Sequence, residues 1–504
     1  MGWKRDQSLE RIAANWSTRN RDIEVAKLGR EMDLDNITFP KGKRIFGAHS
    51  YATVSGSGKL GRLATPEDAQ SAIQRLALWQ AEVSQIAAAF GIPIITFQGA
   101  RVHLLNYRPI DDDEEIAVKA VLLGRAISLM TGHAFNPLFA DDEAFDARAA
   151  VDIGETVGTR GGTRGDSELL FLGSAANRPA KLLGKNRLTV TMRLREALGD
   201  RLPVPPVCDA DSMTLSLSKT DVESKVAELG IDWSTTKSAD RLAADLEKWP
   251  TDRFGVSGAT TLINPTSLSR SNSKNVTAAV IVADIDGFSA YIDEAENDDI
   301  KRNAIITLDA IRRELRAVLK TDYDGVRIQY QGDNMIGIVH LPNGDRAAIA
   351  KAAVEIAAAM QSSIEDTLPA YVWDAGRLHL AVGIALADTV VTSLGKYAKR
   401  NALVMGAAAT SAEQIQMRLD AHEIGISKAV FDELPDAVGD LFAWDTGKKA
   451  YVAQHLDAPK LERVQSLSPG GTQSVSRDTA GVFSIGTSTA AGATDVRPLR
   501  PYAE

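Results

Sequence analysis

Apolar residues recur with helical spacing in two long segments of the chain. In the segments 66–90 and 298–320 they fall at every third or fourth position, as on one face of a helix. These positions are Ile73, Leu76, Trp79, Val83 and Ile86 in the first segment and Ile305, Leu308, Ile311, Leu315 and Val318 in the second. Thr65 offers a capping side chain just before Pro66, and two acidic residues follow. Both segments are therefore predicted to be amphipathic helices.

The sequence contains an internal repeat. FQGARVHLLNY (97–107) resembles YQGDNMIGIVH (330–340), and LLFLGSAANRPAKLL (169–183) resembles ALVMGAAATSAEQIQ (402–416). The two members of each pair are separated by 233 residues. The apolar positions Ile116, Leu123 and Ile127 align at the same separation with Ile349, Ile356 and Met360. A register kept over this length indicates a duplicated unit.

Each repeat is predicted to consist of a strand, a helix, two strands around a tight turn, a helix, a strand and a helix. The first strand of each unit is an apolar run, at 44–54 and at 278–288. Alternation of this kind predicts an α/β or α+β sandwich with the helices on one face of a sheet.

The chain is predicted to divide into five segments by pattern and composition. The N-terminal segment is polar and rich in Arg and Glu, which favours a helical arm that packs or dimerises, and the C-terminal segment is rich in Ser, Gly, Thr and Ala without periodicity. The predicted segments are a helical arm (1–38), a first repeat domain (39–235), a linker (236–275), a second repeat domain (276–460) and a disordered tail (461–504).

Composition limits the classes of protein that fit. The 504 residues are 44% hydrophobic and 24% charged, with no long uncharged apolar run and no secretory signal, so a soluble cytoplasmic protein without a membrane partner is expected. The net charge of −9 argues against a protein that coats nucleic acid. Cys208 is the single cysteine and the seven histidines are dispersed, so neither a disulfide nor a structural zinc site is predicted.

Two aspartates have the setting of metal ligands. In AVIVADIDGFSAYID, Asp284 ends an apolar run and Gly-Phe-Ser then enters a helix, whose first N–H groups can hold phosphate. In RIQYQGDNMIGIV, Asp333 lies at the tip of a predicted hairpin. Together they could hold one or two Mg²⁺ or Mn²⁺ ions, since these cations prefer oxygen ligands. The structural alternative is that each is an ordinary turn or capping residue.

The spacing of ADIDGF (283–288) to QGD (331–333), with a helix between them, resembles the two signature segments of the class III adenylate and guanylate cyclases. The resemblance covers residues 278–455 well and residues 43–190 more weakly. It implies an α+β fold of two tandem ferredoxin-like cyclase domains that form an intramolecular pseudo-dimer. In this family one domain supplies two metal-binding aspartates, and the other supplies base-reading residues and an Asn/Arg pair.

The resemblance assigns the metal site to the second domain. Asp284 and Asp333 match the two family aspartates, and Ile285 is included in the metal-binding set. The first domain lacks both carboxylates. Ala100 stands where Asp333 stands, and the counterpart of Asp284 is predicted within residues 49–52.

The Asn/Arg pair of the family has its match in the first domain. Asn177 and Lys181 occupy those positions and are implied to be catalytic, whereas the second domain has Thr410 and Gln414 there. Each domain thus keeps the half-site that the other has lost. Lysine in place of arginine is a departure, because lysine offers a point charge instead of a planar fork. The alternative is that both are solvated helix residues.

The residues with which purine cyclases of the family read the base are absent. Thr96 and Leu170 stand at those positions, and they are predicted to line the base pocket together with Tyr51, or His49, from nearby. The bacterial pyrimidine cyclases of the Pycsar anti-phage system also lack the purine-reading pair, and this chain resembles them.

The triphosphate-binding arginine of the family is missing as well. Ala381 stands before the Val-Gly-Ile strand where that arginine is expected. Arg377, Lys185 and Lys219 are the candidates to replace it, and the sequence does not choose among them.

The resemblance implies a second-messenger synthase. UTP, or alternatively CTP, would be converted into its 3′,5′-cyclic monophosphate and pyrophosphate with two Mg²⁺ or Mn²⁺ ions, and the amides of Gly287, Phe288 and Ser289 would hold phosphate. The implied partners are the nucleoside triphosphate and, through the product, a cyclic-nucleotide-activated effector, with a homodimer as one assembly. The alternatives are an adenylate or guanylate cyclase and a non-catalytic nucleotide-binding protein.

Overall fold

A computed structural model describes most of the chain. The described residues are 2–19, 24–30, 32–38, 41–55, 63, 65–140, 144–163, 166–184, 187–202, 212–293, 298–372, 375–395 and 401–467. They form two sheets with helices packed on them, one sheet in each half of the chain.

The first half contains eight strands and seven helices among its described residues. The strands are β1 (Glu24–Lys27), β2 (Lys41–Ser55), β3 (Ile94–Gln98), β4 (Arg101–Asn106), β5 (Asp146–Thr163), β6 (Asp166–Leu172), β7 (Leu188–Thr191) and β8 (Ser212–Thr214). The helices are α1 (Arg5–Arg19), α2 (Pro66–Ala89), α3 (Asp113–Met130), α4 (Ser174–Leu182), α5 (Met192–Ala197), α6 (Lys219–Glu228) and α7 (Thr235–Lys248). The sheet order is β3-β4-β2-β5-β7-β8, with β1 beside β2 and β6 beside β5.

The second half repeats this plan. Its strands are β9 (Val256–Gly258), β10 (Ser273–Asp286), β11 (Val326–Gln331), β12 (Asn334–Val339), β13 (His379–Leu394), β14 (Asn401–Met405), β15 (Glu423–Ile426), β16 (Ala443–Asp445) and β17 (Ala450–Gln454). Its helices are α8 (Phe288–Asp293), α9 (Asp298–Ala317), α10 (Arg346–Ser362), α11 (Ala407–Gln416), α12 (Lys428–Phe431), α13 (Asp436–Gly439) and α14 (Ala458–Leu467). The sheet order is β11-β12-β10-β13-β15-β17-β16, with β9 beside β10 and β14 beside β13.

The duplication extends to irregular details. Strand β3 has a bulge between Ile94 and Thr96, and β11 has one between Arg327 and Gln329, at the same place in the repeat. Helices α3 and α10 each run into a π turn, at Thr131–Phe135 and at Ser363–Thr367. The predicted α+β repeat is thus present in the fold, and it includes the strand bulges and the π turns.

The two halves pack reciprocally. Val157 and Leu172, on β5 and β6, belong to the apolar core of the second half, and Val390 and Leu403, on β13 and β14, belong to the core of the first half. An ion pair from Arg327 to Glu168, with 3.0 Å between Nη1 and Oε1, also joins the halves. Since each half presents the same strands to the other, they form a pseudo-dimer within one chain.

Helix α1 packs on the second half of the chain, although it begins the first. The guanidinium of Arg11 donates to Oε1 of Glu314 at 2.6 Å and to Oδ1 of Asp322 at 2.9 Å. Ser8 also donates to Glu314, at 2.6 Å, and Ile12 enters the apolar core of this half. The predicted arm therefore folds back on its own chain.

Two predicted segment bounds differ from the structure. The predicted linker 236–275 contains most of helix α7, whose Leu242 is buried in the core of the first half. It also contains β9, which pairs with β10. Helix α14 extends to residue 467, past the predicted start of the tail at 461, and the rest of that tail lies outside the described residues. Apolar spacing in these short pieces was too brief to distinguish a packed helix from a linker.

Within the described ranges, one segment has the length and composition of a membrane span. It is Asp113–Phe139, which includes α3, and 78% of its most apolar window is buried inside the structure. Val121, Leu122 and Ile127 on this segment are fully buried in the core of the first half. Burial inside the protein accounts for its apolar character.

Two histidines are buried face to face in the first half. Nδ1 of His49 lies 2.9 Å from Nε2 of His103, and the ring of Tyr51 stacks on His103 at 4.3 Å. Burial lowers the pKa of His103 to about 3 and lowers that of His49 well below its ordinary value, and the neighbouring His103 and Arg193 lower that of His49 further. Both rings are therefore neutral at physiological pH.

We expect acid to destabilise the protein through this pair. Below pH 6.5 the unfolded chain binds protons on both rings, whereas the folded chain does not. The contribution of this pair to the free energy of unfolding is therefore complete above about pH 6.5 and is lost as the pH falls towards 3. The loss through His103 alone is on the order of 5 kcal/mol across this range. Urea unfolding at pH 7.5 and 4.5 should show a smaller fall for His103→Gln than for the wild type. A variant of the exposed His133, His133→Gln, is the matched control, and equal falls in all three proteins would contradict the expectation.

Candidate active site

Asp284 is a buried carboxylate near the end of a central strand. It lies on β10 and is 4% exposed, and its Oδ2 accepts a hydrogen bond from Nε2 of Gln416 on α11 at 3.3 Å. Ala381 on β13 is its partner in the sheet. Since a buried carboxylate is costly unless it is compensated, this position favours a functional charge over an ordinary turn residue.

Asp333 lies at the tip of the β11–β12 hairpin, as predicted. Gln331 pairs with Asn334, so Gly332 and Asp333 form a two-residue turn, and Gly332 adopts a φ of +68°. Arg312 on α9 donates a hydrogen bond to the Gly332 carbonyl and thereby fixes the tip. The carboxylate is thus presented by an anchored turn.

The sheet register brings the two aspartates to one edge. Strands β10 and β12 are antiparallel, with Ala283 opposite Met335. Continuing this register by one residue sets Asp284 beside Asn334, the neighbour of Asp333. The structure therefore sets Asp284 and Asp333 at the same edge of the sheet.

Two amide oxygens extend this donor set, and sequence reasoning missed both. Oδ1 of Asn334 and Oε1 of Gln416 are buried and have no hydrogen-bond partner within the described structure. Asn334 follows Asp333 directly, and Gln416 already contacts Asp284. Carboxylate and amide oxygens are the ligands that Mg²⁺ and Mn²⁺ prefer, so the residues fit a hard divalent cation. The sequence signal for Asn334 was a polar residue that opens an otherwise apolar strand.

Residues 287–289 form the turn that follows Asp284. Gly287 has a φ of +79° and is exposed, and its carbonyl accepts from the Tyr291 amide at 3.0 Å. Helix α8 is only six residues long, so the free amides of its first turn, more than a long-helix dipole, are what it can offer to a phosphate. The Ile285 side chain is buried in the core, which leaves its backbone carbonyl as the group that could bind a metal.

The predicted half-site of the first domain reaches this edge. Asn177 is half-buried and Lys181 exposed on helix α4, which starts after Gly173 at a φ of +137°. Helix α4 packs on β5 and β2, and it contacts α8, the helix that follows Gly287. Elements from the two halves thus meet at one place.

The three predicted base-binding residues lie in two environments. Thr96 is half-buried on β3, which contacts β14 of the second half, and Leu170 on β6 packs against the core of that half. Tyr51 is instead buried beneath α4, against Leu182 and Leu183. Thr96 and Leu170 therefore lie at the junction between the halves, while Tyr51 supports the helix from below and its contact with a base stays a prediction.

One predicted alignment is wrong by a residue. The counterpart of Asp284 was predicted within residues 49–52, whereas the sheet register assigns it to Thr53. Ala52 pairs with Val102 and Ala149, and Ala283 pairs with their equivalents in the second half, Met335 and Val382. Ala52 is therefore the counterpart of Ala283, and Thr53 is that of Asp284. The length of the loop after β2 differs between the halves, which shifted the alignment. Thr53 is buried and bears no charge, so the first half still lacks this carboxylate.

Arg377 is the candidate with geometric support for the missing arginine. It is exposed, and its carbonyl oxygen lies 3.5 Å from the position that a Cβ on Gly287 would take. Lys219 begins α6 in the first half, and Lys185 lies outside the described residues. Ala381, at the family position, is fully buried.

Known proteins resemble this chain in sequence and in fold. No protein-family model matches the sequence. A uridylate cyclase from Pseudomonas aeruginosa is 26% identical over 497 residues, which cover 94% of this chain and 92% of that protein. A uridylate cyclase from a Rhizobium species is 25% identical over 427 residues, which cover 79% and 80% respectively.

A solved structure has the same fold over nearly the whole chain. It is a class III adenylyl cyclase-like ATP-binding protein from Pseudomonas aeruginosa, with a TM-score of 0.80 and 23% identity, and the match covers 92% of this chain and 100% of that one. The predicted pseudo-dimer fold is thereby confirmed, as is the resemblance on which it rested. The chain has the fold of that class III cyclase-like protein, in two tandem domains, and is similar in sequence to proteins named uridylate cyclase.

Proposed function

We propose that this protein is a nucleotidyl cyclase that converts UTP into 3′,5′-cyclic UMP and pyrophosphate. The observation that carries the proposal is the meeting of two half-sites at one edge. Asp284 and Asp333 come from the second half, and helix α4, with Asn177, comes from the first half and contacts α8. Neither half contains both sets, so a single composite site results.

The donor set supports two divalent cations, with Mg²⁺ or Mn²⁺ as the metals. Asp284, Asp333 and the Ile285 carbonyl would hold them, and the unpartnered oxygen of Asn334 adds a further ligand. When bound, such ions lower the pKa of the ribose 3′-hydroxyl and neutralise charge on the triphosphate.

The protein groups would position the reacting atoms. The 3′-oxygen forms a bond to the α-phosphorus, the bond from that phosphorus to the β-phosphate oxygen breaks, and pyrophosphate leaves. The amides of Gly287, Phe288 and Ser289 would hold phosphate, and Asn177 would orient the ribose. Lys181 would offset the charge that grows on the α-phosphate, and Arg377 would bind the triphosphate.

Uracil is favoured as the base for two reasons. Both curated relatives carry the name uridylate cyclase, and the sequence similarity to the first extends over 94% of this chain. In addition, Thr96 and Leu170 replace the pair of polar residues, a Lys with an Asp or a Cys, with which purine cyclases read the base. CTP is the second candidate.

By analogy with the Pycsar cyclases, we propose that the enzyme acts in the cytoplasm, in anti-phage defence, with an effector that binds the cyclic nucleotide.

Product analysis tests this proposal. The protein is incubated separately with UTP, CTP, ATP and GTP, with Mn²⁺ and with Mn²⁺ plus excess EDTA. Cyclic UMP is expected from UTP with Mn²⁺. Removal of the metal should abolish its formation, because without the cations the two negatively charged carboxylates repel the triphosphate. A purine product would identify an adenylate or guanylate cyclase instead. Nucleotide binding without any product would favour the non-catalytic alternative.

A further inference from the structure

Three dispersed residues of the second half converge at a place outside the composite site. Glu365, His379 and His422 each offer one ligand atom, and these atoms all lie within 4.8 Å of one another. No sequence motif signals this cluster, because 14 residues separate the first two and 43 separate the last two. Folding alone brings them together.

Each residue is held by a different element. Glu365 lies in the π turn after α10, and His379 is the first residue of β13. His422 directly precedes β15, and its amide donates to the Leu380 carbonyl at 2.9 Å. The cluster therefore joins a helix end to the starts of two parallel strands.

The ligand atoms of these side chains lie close enough to share one ion. Nδ1 of His422 lies 2.6 Å from Oε1 of Glu365, and the ring centroids of His379 and His422 are 3.9 Å apart. Nδ1 of His379 is buried without a hydrogen-bond partner in the described structure. Ligands of a tetrahedral Zn²⁺ lie about 3.3 Å apart, so small side-chain movements would admit an ion in place of the hydrogen bond between His422 and Glu365.

A third histidine adds to the cluster. The ring of His455 lies 4.6 Å from that of His422, and its amide donates to the His422 carbonyl at 2.9 Å. His422 and His455 have φ values of +64° and +48°, a conformation that is uncommon for residues other than glycine.

We propose that Glu365, His379 and His422 bind one transition-metal dication of the Zn²⁺ type, with His455 as the adjacent fourth group. Imidazole ligands favour Zn²⁺ over Mg²⁺, whereas the oxygen donors around Asp284 favour Mg²⁺ and Mn²⁺. The two sites thus differ in metal preference. His379 pairs with Asp286 in the sheet, so an ion here would fix the strand that supports the active-site turn.

Cobalt binding to the full chain tests the proposal without relying on activity. The substitutions Asp284→Asn and Asp333→Asn remove the carboxylates of the composite site. The resulting double variant is titrated with Co²⁺, whose visible absorption reports on tetrahedral nitrogen and oxygen ligands. One equivalent is expected to bind. His379→Gln or His422→Gln in the same background should weaken binding at least about tenfold, and His133→Gln, which changes an exposed histidine elsewhere, should not.

A thermal measurement complements the titration. One equivalent of Zn²⁺ should raise the unfolding temperature of the wild type but not that of His422→Gln, since a ligand that binds only the folded state stabilises it. Equal Co²⁺ affinity with and without His379 and His422, or no Co²⁺ binding, would overturn the proposal. Because cyclase activity is assayed separately with Mn²⁺, failure here leaves the proposed function intact.

Discussion

Asp284→Asn is expected to reduce cyclic UMP formation at least about 100-fold. Asparagine keeps the shape of the side chain but loses the negative charge that would hold the cations. The fold should survive, because the asparagine amide can still meet Gln416 on α11 and because a buried carboxylate without a cation is itself costly. The rate of product formation at saturating UTP and Mn²⁺, with the unfolding temperature of the metal-free protein, measures both effects.

The first half supplies the matched control. Thr53 is the structural counterpart of Asp284, and its buried hydroxyl has no hydrogen-bond partner in the described structure. Thr53→Val should therefore leave the rate within about twofold, since the loss of an unsatisfied hydroxyl costs little. Asp333→Asn should match Asp284→Asn. If Asp284→Asn retained half of the wild-type rate, the assignment of the metal site to the second half would be wrong.

Arg11→Ala is expected to lower the free energy of unfolding by about 3–5 kcal/mol. The substitution removes the cation shared by Glu314 and Asp322, whose side chains are only 1% and 4% exposed. Both carboxylates would then be buried without the cation that they share. Urea unfolding at pH 7.5, followed by tryptophan fluorescence, measures the loss. The deficit should shrink at pH 5, because burial raises the pKa of Asp322 and protonation of this carboxyl group removes its buried charge.

A rescue distinguishes stranded charge from lost packing. Adding Glu314→Gln and Asp322→Asn to Arg11→Ala removes both charges and should recover at least half of the lost stability. Arg5→Ala, which changes an exposed arginine on the same helix, should cost less than about 1 kcal/mol. If the triple variant were no more stable than Arg11→Ala, the cost would lie in packing of α1.

The sequence predicted the parts of the fold that leave a periodic signal. The helices at 66–90 and 298–320 and the hairpin with Asp333 at its tip were visible because their apolar spacing repeats at a fixed separation. Helix α7 was not predicted as a packed element, because its buried positions are few and widely spaced. The loop after β2 caused the one-residue alignment error at Thr53, since a difference in loop length leaves no periodic trace.

Residues of the candidate site were predictable only where they lie in a short motif. Asp284 and Asp333 were recognisable, whereas the role of Gln416 depends on the contact between α11 and β10, which no local pattern encodes. The histidine cluster shows the same limit more strongly, since the distances between its members along the chain match no ligand spacing. Long-range convergence of polar groups is a property of the folded chain.

The attachment of α1 to the second half has a consequence for synthesis on the ribosome. Arg11 and its partner Glu314 are 303 residues apart, so the first helix emerges long before the residues that receive it. Until then α1 has no partner surface on which to pack. The entropy cost of closing so long a loop must be offset by the contacts between α1 and the second half, which form late. A purification tag fused close to α1 would therefore affect the assembly of the second half.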